Sequence, residues 1–147
     1  MPEEALENIL EAGRWAPSGL NNQPWRFAVI TDTALKDILS QLTLYSQIVK
    51  GSKVLIAVFL DTSACYDRTK DLQAIGACIQ NMLLEAHSIG LGGVWLGEIL
   101  KSKKQVEEIL AMEKDLELMA VIALGVPAEN PKKGKRKELQ DLIVFRK

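Results

Sequence analysis

Few side chains in this sequence could carry out chemistry unaided, and that scarcity constrains the mechanism. His87 is the sole histidine, it sits in an apolar helical pattern, and its ordinary role there is a helix histidine with a satisfied hydrogen bond. Cys65 and Cys78 form no CxxC pair and have no histidine cluster, so neither a zinc site nor a disulfide framework is indicated; both read as reduced thiols. No Gly-x-Ser-x-Gly elbow is present to expose a nucleophilic serine. Hydrolysis by a triad is therefore disfavoured. A chain with so few acid–base groups can still be an enzyme if a cofactor supplies the reactive atoms and the protein supplies orientation and hydrogen bonds.

Two patterns could serve such a cofactor. The glycines Gly90, Gly92, Gly93 and Gly97 do not have GxGxxG spacing, and they follow a helix where a dinucleotide fingerprint follows a strand. They do let backbone approach a flat ligand closely, with N–H groups at Leu96, Gly97 and Glu98; the alternative is a helix C-cap followed by a tight strand. The basic run Lys132, Lys133, Lys135, Arg136 and Lys137 is either a solvated loop or a phosphate site.

The elements that must position these residues follow from periodicity. Pro2, the acidic pair Glu3 and Glu4, and apolar Ala5, Leu6, Ile9 and Leu10 open a helix that Gly13 ends or loosens. Residues 16–24 hold two prolines, a glycine and two asparagines, and must be loop. Trp25 to Ile30 is the first strand, and Thr31-Asp32 caps a superficial amphipathic helix. Val54 to Leu60 is apolar without alternation, a strand covered on both faces in the middle of a sheet. From Asp71 to Ile89, a stripe of Leu72, Ile75, Ile79, Met82, Leu83 and Ala86 is flanked by Ala74, Ala77, Cys78 and Leu84. A helix apolar nearly all round must be covered on all sides, in so short a chain by a second subunit, and Gly90 caps its end. Val94 to Leu96 is a short strand; the spacing Ser102 to Gln105 predicts a capping box and a helix through Leu110; Leu116 to Leu124 is a further strand. The tail ends in Leu139, Leu142, Ile143, Val144 and Phe145, too apolar for solvent and expected to pack on the partner subunit. About four strands and flanking helices make a layered α/β or α+β domain.

Composition excludes other classes. Eighteen basic residues oppose nineteen acidic ones, a net charge of -1, so no sustained field points to nucleic acid or an anionic membrane. With 147 residues, 48% of them apolar, one domain spanning 1–147 is expected. The first ten residues hold no apolar signal core, and no run approaches the roughly 20 apolar residues that span a bilayer. A cytoplasmic protein without a membrane partner is expected.

Three blocks carry a family resemblance. Ala16-Pro17-Ser18-x-x-Asn21-x-Gln23-Pro24-Trp25-x-Phe27 resembles the APSxxNxQPWxF block of the nitroreductase family of flavoproteins. Asp71, then Asn81-Met82-Leu83-Leu84-Glu85-Ala86-His87 and Gly90-Leu91-Gly92-x-x-Trp95-x-Gly97, are similar to its NLLLAAHxLGLGxxWxG block. Gly125-x-Pro127 followed by Lys135-Arg136 resembles its C-terminal phosphate-binding segment.

The resemblance implies an α+β layered sandwich with a central, mainly antiparallel sheet flanked by helices, and a homodimer with the central helix in its interface. It implies two FMN molecules at that interface, reduced by NAD(P)H and reoxidised in a ping-pong cycle by a small-molecule acceptor such as a nitro compound or quinone. Carried over by motif, Pro17, Ser18, Asn21 and Gln23 reach the flavin from one subunit. Leu96, Gly97 and Glu98 line the isoalloxazine from the other, the Gly97 N–H donating to N5, and Lys135 with Arg136 holds the phosphate. No side chain is assigned a catalytic role. Family members usually begin with a segment like RRSxRxF ahead of the first helix. This sequence begins at that helix, so it reads as a short form or one whose start lies upstream, with Arg14 either a substitute cation or a surface residue. The alternative activity is that of a degenerate member binding flavin or nucleotide without turnover. Neither the acceptor nor the choice of NADH or NADPH is written in a motif.

Overall fold

Every residue of Val54–Asp61 is buried, and this strand, β2, lies inside a four-stranded sheet as its unbroken apolar run requires. The computed structural model describes residues 1–128 and 134–147. In that sheet β1 (Trp25–Ile30), β2, β4 (Leu116–Gly125) and β3 (Gly92–Leu96) follow in spatial order, each pair antiparallel. Alternation then sorts the core into two layers. Val54, Ile56, Val58 and Leu60 face α1 (Glu3–Arg14) and α4 (Arg68–Ser88). Leu55, Ala57 and Phe59 face the side held by α2 (Thr33–Ser40), α3 (Ser46–Gly51) and α5 (Lys103–Ile109). A register shift between Val58 and Phe59 places one extra residue, Met119, on β4. The result is an α+β sandwich with helices on both faces of an antiparallel sheet.

Local signals act largely as expected. Asp32 caps α2 by accepting the Leu35 N–H at 2.7 Å. Gly90, at φ 79°, follows α4, and the Leu91 and Gly90 N–H groups return to the Ala86 and His87 carbonyls. That double closure is a Schellman motif, which needs a residue free of Cβ strain.

Three expectations change. Gly13 does not end α1, which continues to Arg14; it is buried because a Cβ there would lie 2.5 Å from Met82 Cε. Ser102 makes no side-chain cap, since the chain enters α5 from a 3-10 turn, Glu98–Ser102, and Ser102 at φ -106°, ψ 21° lacks the extended backbone a cap needs. His87 is exposed rather than enclosed, with no side-chain hydrogen bond among the described residues. Within one chain α4 is covered on one side only: Ala74, Ile75, Cys78, Ile79, Met82 and Ala86 are buried, while Leu72 and Leu84 are 39% and 58% exposed. No helix among the described residues is long and apolar enough to cross a membrane.

Candidate functional site

The loop between α1 and β1 is where the backbone is most strained. Leu20, Asn21 and Gln23 all have left-handed φ, 53°, 55° and 48°, a conformation that costs a non-glycine residue about 1 kcal/mol. Surrounding groups hold it there. The Gln23 N–H donates to Ser18 Oγ at 3.0 Å, and Gln23 Nε2 donates to the Asn21 carbonyl at 3.2 Å. Arg26 donates to the carbonyls of Gln23 and Trp25 while pairing with Asp61 at 2.5 Å. The loop thus brings Pro17, Ser18, Asn21 and Gln23 together on one small exposed arch.

Asn22 anchors the arch from beneath. Its Nδ2 donates to the Ala64 carbonyl at 3.0 Å and to Asp71 Oδ1 at 2.7 Å. Asp71, fully buried in the first turn of α4, also accepts from the Tyr66 and Asp67 N–H groups at 3.0 and 3.1 Å. Burial pushes its carboxyl up, but the hydrogen bonds from Asn22, Asp67 and Tyr66 outweigh that and hold it below the ordinary aspartate value.

The second group lies at the end of β3. Leu96 buries its side chain in the core beneath α2 and α5, so it offers a ligand backbone only. Gly97 is exposed, and nothing lies within 4 Å of where a Cβ would stand. The N–H groups of Gly97 and Glu98 have no acceptor among the described residues, as befits the start of a 3-10 turn. The Glu98 carboxylate points the other way. It accepts from the Leu44 N–H at 3.0 Å and Thr43 Oγ1 at 2.8 Å, and these bonds lower its pKa. Glu98 thereby ties the loop after α2 to the end of β3.

Of the other glycines, Gly93 carries a packing demand, since a Cβ there would lie 2.7 Å from Leu83. With Gly90 and Gly92 it lines a cavity of about 930 Å³ between α3, the end of α4 and the ends of β3 and β4, onto which His87 faces. Lys135 and Arg136 sit on a tail that is exposed throughout 134–147, with Arg136 donating to the Lys135 carbonyl. Lys132 and Lys133 lie outside the described residues. Arg14, a candidate substitute cation, is already engaged: it pairs with Glu11 and stacks at 5.3 Å on Trp15. Its hydrogen bonds, with that of Trp15, bring Glu11 down to about 2. Cys65 and Cys78 are free thiols, and burial pushes Cys78 up to about 12, which makes it inert.

Sequence reading missed Asn22, Arg26, Asp61, Thr43 and Leu44, because their work is tertiary. Asp71 alone left a signal, an acidic residue heading an otherwise apolar helix.

The described residues form an antiparallel sheet sandwiched by helices, with a strained loop before β1 and N–H groups without an acceptor at the end of β3. The profile of the Nitroreductase family matches the chain over residues 1–45 and 36–126. A relative from Methanothermobacter thermautotrophicus, described as a candidate NADH dehydrogenase/NAD(P)H nitroreductase, is 34% identical over 134 residues, covering 89% of this chain and 70% of its own. A candidate nitroreductase from Desulfovibrio desulfuricans, crystallised in complex with FMN, superposes with a TM-score of 0.95 at 49% identity, covering 100% of this chain and 86% of that one. A candidate NADH oxidase from Clostridium acetobutylicum superposes with a TM-score of 0.90 at 30% identity, covering 100% and 90%. The chain belongs to the Nitroreductase family.

Proposed function

We propose that this chain is an FMN-dependent NAD(P)H oxidoreductase that acts as a homodimer on a nitro compound, quinone or similar small acceptor. The observation that carries the reading is the pair of unpaired N–H groups at Gly97 and Glu98 beside open space. A flat ring can approach them to van der Waals distance, since no side chain at residue 97 stands in the way. FMN, when bound, supplies the chemistry in a ping-pong cycle, taking hydride from NAD(P)H and passing electrons to the acceptor.

The residues divide their work. The Gly97 N–H is a fixed donor for the ring nitrogen on which negative charge grows, and being backbone it needs no reorganisation. Leu96 anchors that donor through its buried side chain, and Glu98 braces it against Thr43 and Leu44. Ser18, Asn21 and Gln23 present polar edges and Pro17 an apolar one from the strained arch, whose rigidity orients them in advance. Lys135 and Arg136 supply charge for a phosphate, Arg136 through a fork suited to two oxygens. Within one chain the arch lies against the start of α4, and exposed Leu72, Leu84 and the apolar tail support a site completed between two subunits.

The decisive experiment is the absorbance spectrum of the purified protein, followed by anaerobic mixing with NADH and with NADPH. Flavin bands that bleach on mixing are expected. A colourless protein that takes up no added FMN overturns the reading; bound flavin that never bleaches favours a binding protein without turnover.

A further inference from the structure

The larger cavity, about 930 Å³, has no task in the contacts proposed so far, and none of the residues assigned to the flavin lines it. It opens where β3 begins, at the end of that strand away from Gly97. The glycine-rich start of β3 forms one wall, α3 a second, and the chain that leaves β4 from Gly125 to Ala128 a third. His87, from the last turn of α4, faces into the same space. Its surface is mostly backbone, because Gly93 has no room for a Cβ beside Leu83 and Gly90 turns the chain at φ 79°.

Charge selects what such a surface can hold. His87 is the one ionisable side chain that lines the cavity, and no carboxylate lines it. Its imidazole makes no hydrogen bond among the described residues, and Glu85, two residues earlier on α4, accepts from Ser88 Oγ instead. The Val126 and Ala128 N–H groups also have no acceptor among the described residues. An imidazole and backbone donors without an opposing negative charge suit an anionic group.

Position says which anion. Val94, which lines the cavity, stands three residues from Gly97, a rise of about 10 Å along a strand. A five-carbon ribityl chain ending in phosphate spans that distance from a ring at Gly97. Ala128 precedes Lys135 by seven residues, so the tail that bears the basic pair departs from the cavity wall. We infer that His87 binds the FMN phosphate in this cavity, donating an imidazole N–H to a phosphate oxygen alongside Lys135 and Arg136. The inference rests on the FMN reading above and deepens it by adding a residue and a place for the phosphate. Because α4 is anchored in the core, this donor holds its position independently of the tail.

Lys53 is the rival cation. Its Cγ lies 3.9 Å from where a Cβ on Gly125 would stand, and it has no ion pair among the described residues. The test is a fluorescence titration of the full chain, freed of flavin, with FMN and with riboflavin, which has the same ring and ribityl chain but no phosphate. The proteins compared are the wild type, His87→Ala, His87→Lys and Lys53→Gln; both positions are exposed, so the substitutions leave the core intact. The wild type is expected to prefer FMN. His87→Ala is expected to raise the Kd for FMN about tenfold with that for riboflavin unchanged, and His87→Lys to keep most of the preference. An unchanged FMN-to-riboflavin ratio in His87→Ala overturns the inference, and so does an equal loss of both flavins, which would give His87 a merely structural role. A preference that falls in Lys53→Gln and not in His87→Ala overturns it in favour of Lys53. A wild type that binds neither flavin overturns the FMN reading itself and the inference with it.

Discussion

Asp71 and Glu117 show two uses of a carboxylate held below its ordinary range. Asp71 is wholly buried and receives donors from the arch and from the loop before α4. Replacing it by asparagine puts a donor amide where a carboxylate oxygen accepts from N–H groups, and an unsatisfied buried donor costs about 1–3 kcal/mol. Asp71→Asn is therefore expected to lower the urea midpoint and also to weaken FMN binding severalfold in a fluorescence titration, because Asn22 would no longer pin the arch. Loss of stability with unaltered flavin affinity would refute that coupling. Glu117 is bonded by Arg68 and Lys103, which overcome partial burial and bring it from 4.5 to about 2. A depressed carboxyl stabilises the fold above its unfolded pKa and loses that contribution as pH falls through the folded one. Stability should thus decline between about pH 4.5 and 2, by on the order of 1–2 kcal/mol after screening at the exposed Arg68. Glu117→Gln should flatten that part of the profile of unfolding free energy against pH.

Helix α4 is the element on which most of the architecture turns. One side packs on the sheet and on α1, and the closest approach is at Gly13, where Met82 fills the space a side chain would take. Gly13→Ala would normally strengthen a helix interior by about 1 kcal/mol. Here it should instead destabilise by about 1–2 kcal/mol, since Met82 Cγ as well as the mobile Cε lies within 3 Å of the new methyl. Chemical denaturation measures the sign, and a stabilised Gly13→Ala protein would show that the α1–α4 contact yields. The first turn of the same helix carries Asp71, so α4 also sets the arch through Asn22.

Exposed apolar groups across the described residues include Leu72 and Leu84 on α4, and Leu139, Leu142, Val144 and Phe145 on the tail. Removing such area from water is favourable at roughly 25 cal/mol per Å², which is the driving force for the proposed dimer. Sedimentation at micromolar concentration is expected to give a dimer, and Leu84→Asp to shift it towards monomer with a parallel loss of bound flavin. A stable wild-type monomer would refute the shared site.

The sequence by itself determined the strands, because runs such as Val54 to Leu60 have one stable environment, and it determined local caps such as Asp32 and Gly90, whose partners lie within a few residues. It also marked Pro17, Ser18, Asn21, Gln23 and Gly97 through their blocks. It could not place Ser102 or Gly13 correctly, since a neighbouring 3-10 turn and a methionine sixty-nine residues away decide them. The anchors of the arch, Asn22 to Asp71 and Arg26 to Asp61, and the brace from Glu98 to Thr43 exist only across 35 to 55 residues of chain. Tertiary structure alone decided them, because a hydrogen bond over such separation depends on packing that no local pattern encodes.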